Sequence, residues 1–246
     1  MKVAIASRNR VGKIYPLKWL PVQPYLFVEP QNFEEYQQAH AQDAVIVNIG
    51  QNDQGLTFVR NFILEYFDEP ILMLDDDVNA IMQRERGKLV PADITEFFNY
   101  LEEAMRNRVL AQIGISFVPS NHFKKIEWQY FDRAWAIKYI NVPMLKINDI
   151  EILEIGKGLF EDYVFCLQMY KQGLKFATTY KYAFDCVAKM GTNKGGCQDF
   201  RNEERSREAA KEVMKTFGPY LVAIKYSKSH QQYEVQIKWS NLWKGL

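Results

Sequence analysis

The stretch that decides the fold is EPILMLDDDVNAI, Glu69–Ile81. Four apolar residues, Ile71 to Leu74, run straight into Asp75, Asp76 and Asp77. A short unbroken apolar run of this kind reads as a strand buried on both faces, as in a parallel sheet. Ligands of such sheets bind beyond the carboxyl ends of the strands, where these acids stand. Adjacent carboxylates repel one another unless a positive group sits among them. A divalent cation with oxygen ligands, Mg²⁺ or Mn²⁺, would offset that repulsion. Held by one or two carboxylates, it would keep open positions for phosphates. The plainer reading is that one aspartate caps the following turn while the others face solvent.

Outward from this strand the first half alternates strand and helix. KVAIAS (Lys2–Ser7), YLFVE (Tyr25–Glu29) and AVIVNI (Ala44–Ile49) read as strands. Asn32 and Glu35 make a capping box for the helix FEEYQQAHA. Gly55 precedes LTFVRNFILEYF, whose apolar residues keep helical spacing. Such alternation implies a mostly parallel sheet with helices on both faces. Further on, Ile94–Asn107 and FEDYVFCLQMYKQG read as helices, and IGISF, RAWAIKYINV and FATTYKYAFDC as strands. NEERSREAAKEVMKTFG reads as a charged helix closed by Gly218, and QYEVQIKWSNLW as an edge strand. Repeats and long linkers are lacking, so one α/β domain spanning 1–246 is expected.

Composition bounds the function. The 246 residues carry a net charge of +1, with 48% hydrophobic and 14% aromatic residues, as in an ordinary soluble domain. The charge is unevenly spread: from Lys171 onward there are 14 Lys and Arg against 7 Asp and Glu. A basic final third suits an anionic partner, though a solvated helix face explains it equally. Three cysteines and three scattered histidines form neither a disulfide framework nor a zinc motif. With no 18-residue apolar stretch and no signal-like leader, a cytoplasmic protein without a membrane span is expected.

A second acidic pair, Glu161-Asp162, opens the helix YVFCLQMYKQG after the glycine-containing GKGLF. Acids there suit the helix dipole, and a carboxylate beside an acceptor hydroxyl also suits a general base. In the loop KMGTNKGGCQ (189–198), the glycines permit close backbone approach to a diphosphate, with Lys189 or Lys194 to neutralise developing charge. The segment NHFKKIEWQYFDRAW (Asn121–Trp135) interleaves bases and aromatics. Lys124, Lys125, Trp128, Arg133 and Trp135 therefore become candidates for holding an acceptor, by phosphate contact and base stacking. Core packing accounts for some of these aromatics just as well.

Together, the first strand with its polar SRNR turn, the helix with Arg60 and Asn61, ILMLDDDV, and FEDYVFCLQMYKQGLK resemble a GT-A glycosyltransferase over most of the chain. Within that superfamily, GQNDQGLTFVRNFIL leading into PILMLDDDV is most similar to the TET/JBP-associated glycosyltransferases of bacteriophages. The resemblance implies a Rossmann-like GT-A domain, with residues 1–80 as the nucleotide-sugar half and 81–246 as the acceptor half. It implies metal-dependent transfer, with inversion, from a UDP-sugar to a hydroxylated cytosine such as hydroxymethylcytosine in double-stranded phage DNA, or to a sugar already on it. By the same resemblance Asp75 and Asp77 are the metal ligands of an Asp-x-Asp motif, and Asp75 or Asp76 faces the donor. Ser7, Arg8, Asn9 and Arg60 would contact the nucleotide. Asp162 would be the base, and Glu161 would orient it. GT-A enzymes often add a C-terminal histidine to the metal, and His230 in SKSHQQ does not match that position.

Rival readings share some of these features. A transferase acting on lipopolysaccharide or another glycan would carry the same donor residues. A nucleotidyltransferase would also use metal-bound carboxylates, but needs a glycine-rich basic loop absent from ASRNRVGKIYP. A phosphatase or nuclease could use clustered aspartates without a sugar nucleotide. A non-catalytic DNA-binding module leaves Asp75–Asp77 unexplained.

Overall fold

The computed structural model describes residues 1–121, 125–187, 202–228 and 231–243. The chain opens with β1 (Lys2–Ala6), β2 (Tyr25–Val28), α1 (Pro30–His40), β3 (Val45–Asn48), α2 (Leu56–Tyr66) and β4 (Ile71–Asp75). These four strands pair in parallel in the order β3-β2-β1-β4. In β4, Ile71 to Leu74 are each at most 3% exposed. Ile71 and Met73 join the core layer of α2, while Leu72 and Leu74 join the opposite layer. The strand is thus buried on both faces, and its run ends at Asp75, which pairs in register with Ala6 at the end of β1.

The elements β5 (Val78–Glu85), β6 (Lys88–Pro91), α3 (Ile94–Arg108), β7 (Gln112–Phe117), α4 (Val118–Asn121), β8 (Trp128–Tyr130) and β9 (Ile137–Ile140) follow. After them come α5 (Val142–Ile147), α6 (Glu161–Lys171), β10 (Phe176–Cys186), α7 (Glu203–Phe217), β11 (Val222–Ser227), β12 (Gln232–Ile237) and α8 (Trp239–Trp243). The large sheet continues β4-β9-β7-β10-β5-β6, and β8 adds to β10. The α/β architecture is as expected, but the sheet is mixed rather than mostly parallel. Here β9 runs antiparallel to both β4 and β7, and β5 antiparallel to β10. Parallel neighbours need a crossover of a dozen or more residues. Beyond β4 sheet neighbours are no longer consecutive in the chain: β9 inserts antiparallel between β4 and β7, and the parallel neighbours β7 and β10 are joined through β8, β9, α5 and α6. Next, β5 and β6 form a hairpin over Arg86 and Gly87, both at positive φ (48° and 82°), as a type I′ turn requires.

Three local expectations are corrected. Helix α1 starts at Pro30, two residues before the expected Asn32 cap, and its N-cap Glu29 makes no side-chain capping bond. Proline fixes a helical φ and has no N–H to satisfy, so the helix begins there. The Asn32 amide instead donates to Asn9 Oδ1 at 3.0 Å. The strand read from RAWAIKYINV is confined to β9, because Asn141 caps α5 by accepting from the Met144 N–H. The tail strand ends at Ile237 and gives way to α8, while β12 pairs with β11 as a separate two-stranded sheet packed on α7. Among the described residues no helix is long and apolar enough to cross a membrane.

Candidate active site

A cleft of about 500 Å³ opens at the carboxyl end of β4. Its floor carries Asp75 and Asp77, and α2 contributes Arg60. The first turn of α6 brings Glu161 and Asp162, and the chain before β9 brings Arg133 and Trp135. Thus four segments far apart in sequence bring seven of the expected residues, Arg60, Asp75, Asp77, Arg133, Trp135, Glu161 and Asp162, around one space. Gly158 explains how α6 approaches α2 so closely. Its φ is +83°, and an added Cβ would sit 2.9 Å from the Thr57 backbone nitrogen, so the GKGLF stretch is a contact only glycine allows.

The three aspartates divide by environment. Asp76 is 4% exposed and lies outside the cleft lining. Ser7 Oγ donates to its Oδ2 at 2.6 Å, and the Arg10 guanidinium lies 2.6 Å from its Oδ1. Burial pushes the Asp76 carboxyl up to about 6, against the opposing pull of Arg10 and Ser7. Ser7 also shares a hydrogen bond with the Tyr36 hydroxyl at 2.7 Å. Arg8 pairs with Glu29 at 3.0 Å and with Asp53. Ser7, Arg8 and Asn9 therefore form the turn after β1, beside the cleft rather than in its lining.

Arg60 is 3% exposed, so the surface salt bridge that a lone arginine on a helix suggests does not apply. Its guanidinium bonds Asp75 Oδ1 at 2.9 Å and also pairs with Glu161 Oε1. Glu161, 5% exposed, takes a second cation: Lys138 Nζ is 3.2 Å from the same Oε1. Lys138, buried, and Arg10, half-buried, are partners that the sequence reading missed. The signal for Lys138 was a lysine inside the apolar strand IKYI. Cys186 lines the cleft, and burial together with the Asp77 and Asp75 carboxylates pushes its thiol up.

On the other wall, the side chain of Asp162 is 22% exposed and its Oδ2 lies 3.5 Å from Arg133 Nε. The Arg133 guanidinium stacks 3.2 Å from the Trp135 ring centroid and 4.4 Å from that of Tyr163. Burial pushes the Tyr163 hydroxyl up to about 12. Gln232 and Glu234 of β12 close this side, a contribution legible only as the alternation of QYEVQI. Trp128 is not part of this wall. It stacks on Tyr100 (5.7 Å, 19°) beneath Arg108, while Lys125 is exposed. Lys124, Lys189, Lys194 and His230 lie outside the described residues.

As a metal centre the floor offers two carboxylates, Asp75 and Asp77. Among the described residues no group of three or more His, Cys, Asp or Glu could hold a metal ion. Cys166 and Cys186 are free thiols.

Comparison with known proteins gives the family and the fold. The family model of TET-associated glycosyltransferases matches residues 1–196. Two phage enzymes, each named beta-glucosyl-HMC-alpha-glucosyl-transferase, are similar to the chain over 238 residues. They come from Enterobacteria phages T6 and T2, at 24% and 23% identity, with 88% of this chain and 81% of each relative covered. In fold, the chain is similar to the crystal structure of S. aureus TarS, with a TM-score of 0.51 and 16% identity over 87% of this chain and 66% of that one. The strand-end aspartates, the buried arginine of α2 and the Glu-Asp turn of α6 thus stand in a GT-A glycosyltransferase that belongs to the TET-associated glycosyltransferase family.

Proposed function

We propose that this glycosyltransferase moves a sugar from a UDP-sugar to a hydroxylated cytosine in DNA, or to a sugar already on that base. The observation that carries this reading is the meeting of Asp75, Asp77, Arg60 and Asp162 around one cleft. The two phage relatives, named for transfer to glucosylated HMC, point to the acceptor class.

The residues of the floor fit a divalent cation. Asp75 and Asp77 face one space, and Asp76 is occupied by Ser7 and Arg10. Two carboxylates suit Mg²⁺ or Mn²⁺, whose remaining positions go to water and substrate phosphates. When bound, the ion neutralises the charge that builds on the departing diphosphate. Arg60 holds Asp75 in orientation. Asp162, partly exposed in the cleft, takes the proton of the acceptor hydroxyl as that oxygen attacks the anomeric carbon. Arg133 and Trp135 supply a cation on an aromatic face, suited to a phosphodiester or an extruded base.

The test is incubation of the pure protein with Mn²⁺ and a panel of UDP-sugars, with duplex DNA carrying cytosine, hydroxymethylcytosine or glucosylated hydroxymethylcytosine. Transfer to one of the modified duplexes, dependent on the metal, is expected. Hydrolysis of a UDP-sugar without DNA labelling, or transfer that persists in chelator, overturns the corresponding part. The anomeric configuration of the product settles the role of Asp162. From an α-linked donor, a β-linked product fits a base acting in a single displacement, and an α-linked product rules that out.

A further inference from the structure

Lys138 is a buried ionisable group that the chemistry proposed for the cleft does not use. It stands in the middle of β9, in register with Met73 of β4 on one side and Gly114 of β7 on the other, and is 2% exposed. Its Nζ lies 3.2 Å from Glu161 Oε1. The same oxygen pairs with the guanidinium of Arg60, which bonds Asp75 at 2.9 Å. A chain of contacts between ionisable groups, Lys138–Glu161–Arg60–Asp75, therefore runs from inside the sheet to the cleft floor. The other Glu161 oxygen, Oε2, is buried and has no hydrogen-bond partner among the described residues.

Buried ions of this kind are not needed to hold a fold. Desolvation offsets their attraction, and apolar groups of similar volume often serve as well or better. Burial and the nearby Arg60 push the Lys138 ammonium down to about 7, which is the same cost seen from the proton's side. What the arrangement supplies is geometry. Glu161 is gripped from β9 and from α2 at once, and the next residue is Asp162. With Lys138 gone, Arg60 would be the one cation left on Glu161 among the described residues, free to swing from Asp75 toward it.

We infer that Lys138 is a positioning residue for sugar transfer, which through Glu161 sets Arg60 against Asp75 and fixes the first turn of α6. This rests on the reading of the cleft as the sugar-nucleotide site.

The test is a double-mutant cycle of Lys138→Met and Glu161→Gln, read by transfer kinetics, by UDP binding in Mn²⁺ using calorimetry, and by thermal melting. Lys138→Met should melt no lower than the wild type, yet lose about 10- to 100-fold in kcat/KM, with weaker UDP binding. The double variant should lose no more than the worse single variant, because both act through one contact. Wild-type kinetics and UDP affinity in a folded Lys138→Met protein would overturn the inference, as would losses that multiply. If Lys138→Met does not fold, Lys138→Gln replaces it. Its amide can still donate to Glu161, so a loss under about fivefold supports positioning by that bond, and a larger loss overturns it. A wild-type protein that neither binds UDP nor transfers sugar defeats the functional reading itself, and the inference with it. An active wild type with an equally active variant defeats the inference alone.

Discussion

Glu161 and Asp162 are neighbours in sequence and opposites in surroundings. Glu161 is 5% exposed and held by Arg60 and Lys138 inside the molecule, whereas Asp162 faces the cleft beside an arginine in contact with two aromatic rings. Successive helix residues point about 100° apart, so the first turn of α6 can send one carboxylate to the floor and the next to open space. The difference separates holding from reacting: a clamped carboxylate keeps geometry, and an accessible one can take a proton.

The largest expected effect breaks that pairing on the reactive side. Asp162→Asn should lower transfer by about 10²–10⁴-fold while leaving UDP affinity intact, measured by steady-state kinetics and calorimetry. Glu161→Gln should weaken both. If the two variants show the same profile, the division between clamp and base is wrong.

The three aspartates offer the same contrast. Arg10→Met would leave the Asp76 carboxylate buried without its cation, at a cost of about 3–5 kcal/mol. In a chain of 246 residues that is a fall in Tm of roughly 6–20 °C by calorimetric melting. A variant melting within a degree or two of the wild type would put Asp76 back among the groups free to meet a ligand.

Next in size is the acceptor wall. Arg133→Ala should raise the KM for DNA about tenfold and leave the KM for the donor unchanged. The slope of log affinity against log salt should fall by about one if the guanidinium meets a phosphate. An unchanged salt slope would assign Arg133 to base stacking or to Asp162 instead.

Much of this contrast was legible in the sequence because it lies in contiguous runs. ILML followed by aspartates encodes a doubly buried strand and its exposed end, and the pair Glu161-Asp162 marks a helix start. Which of three adjacent aspartates turns inward was not legible. That depends on Ser7 and Arg10, more than sixty residues away and brought close by the pairing of β1 with β4. Lys138 was hidden for the same reason: its partner lies 23 residues on, and within its strand it reads as an interruption. Pairing direction was lost after β4 because sheet neighbours there are no longer consecutive in the chain, so the elements between two strands do not tell which strands will pair. Trp128 and Arg133 sat in one basic-aromatic segment, yet β8 carries Trp128 onto the outside of β10 while the following chain bends Arg133 into the cleft.

The smallest effect sharpens the comparison through pH. Burial and Arg60 bring Lys138 in the folded protein to about 7, below its ordinary value of 10.5. Between those values the unfolded chain holds a proton that the folded chain has released, so the stability contributed by this group rises with pH across that window. Below about pH 7 both states are protonated and the full cost of a buried ammonium is present. Lys138→Met carries no such cost at any pH. The variant should therefore melt higher than the wild type near pH 6.5, and the gap should close as the pH approaches 9.5. Melting curves that stay parallel across the range would mean that Lys138 keeps its proton at no cost, with the carboxylate of Glu161 fully compensating it. The charge chain beneath the cleft would then be a source of stability rather than a geometry held against it.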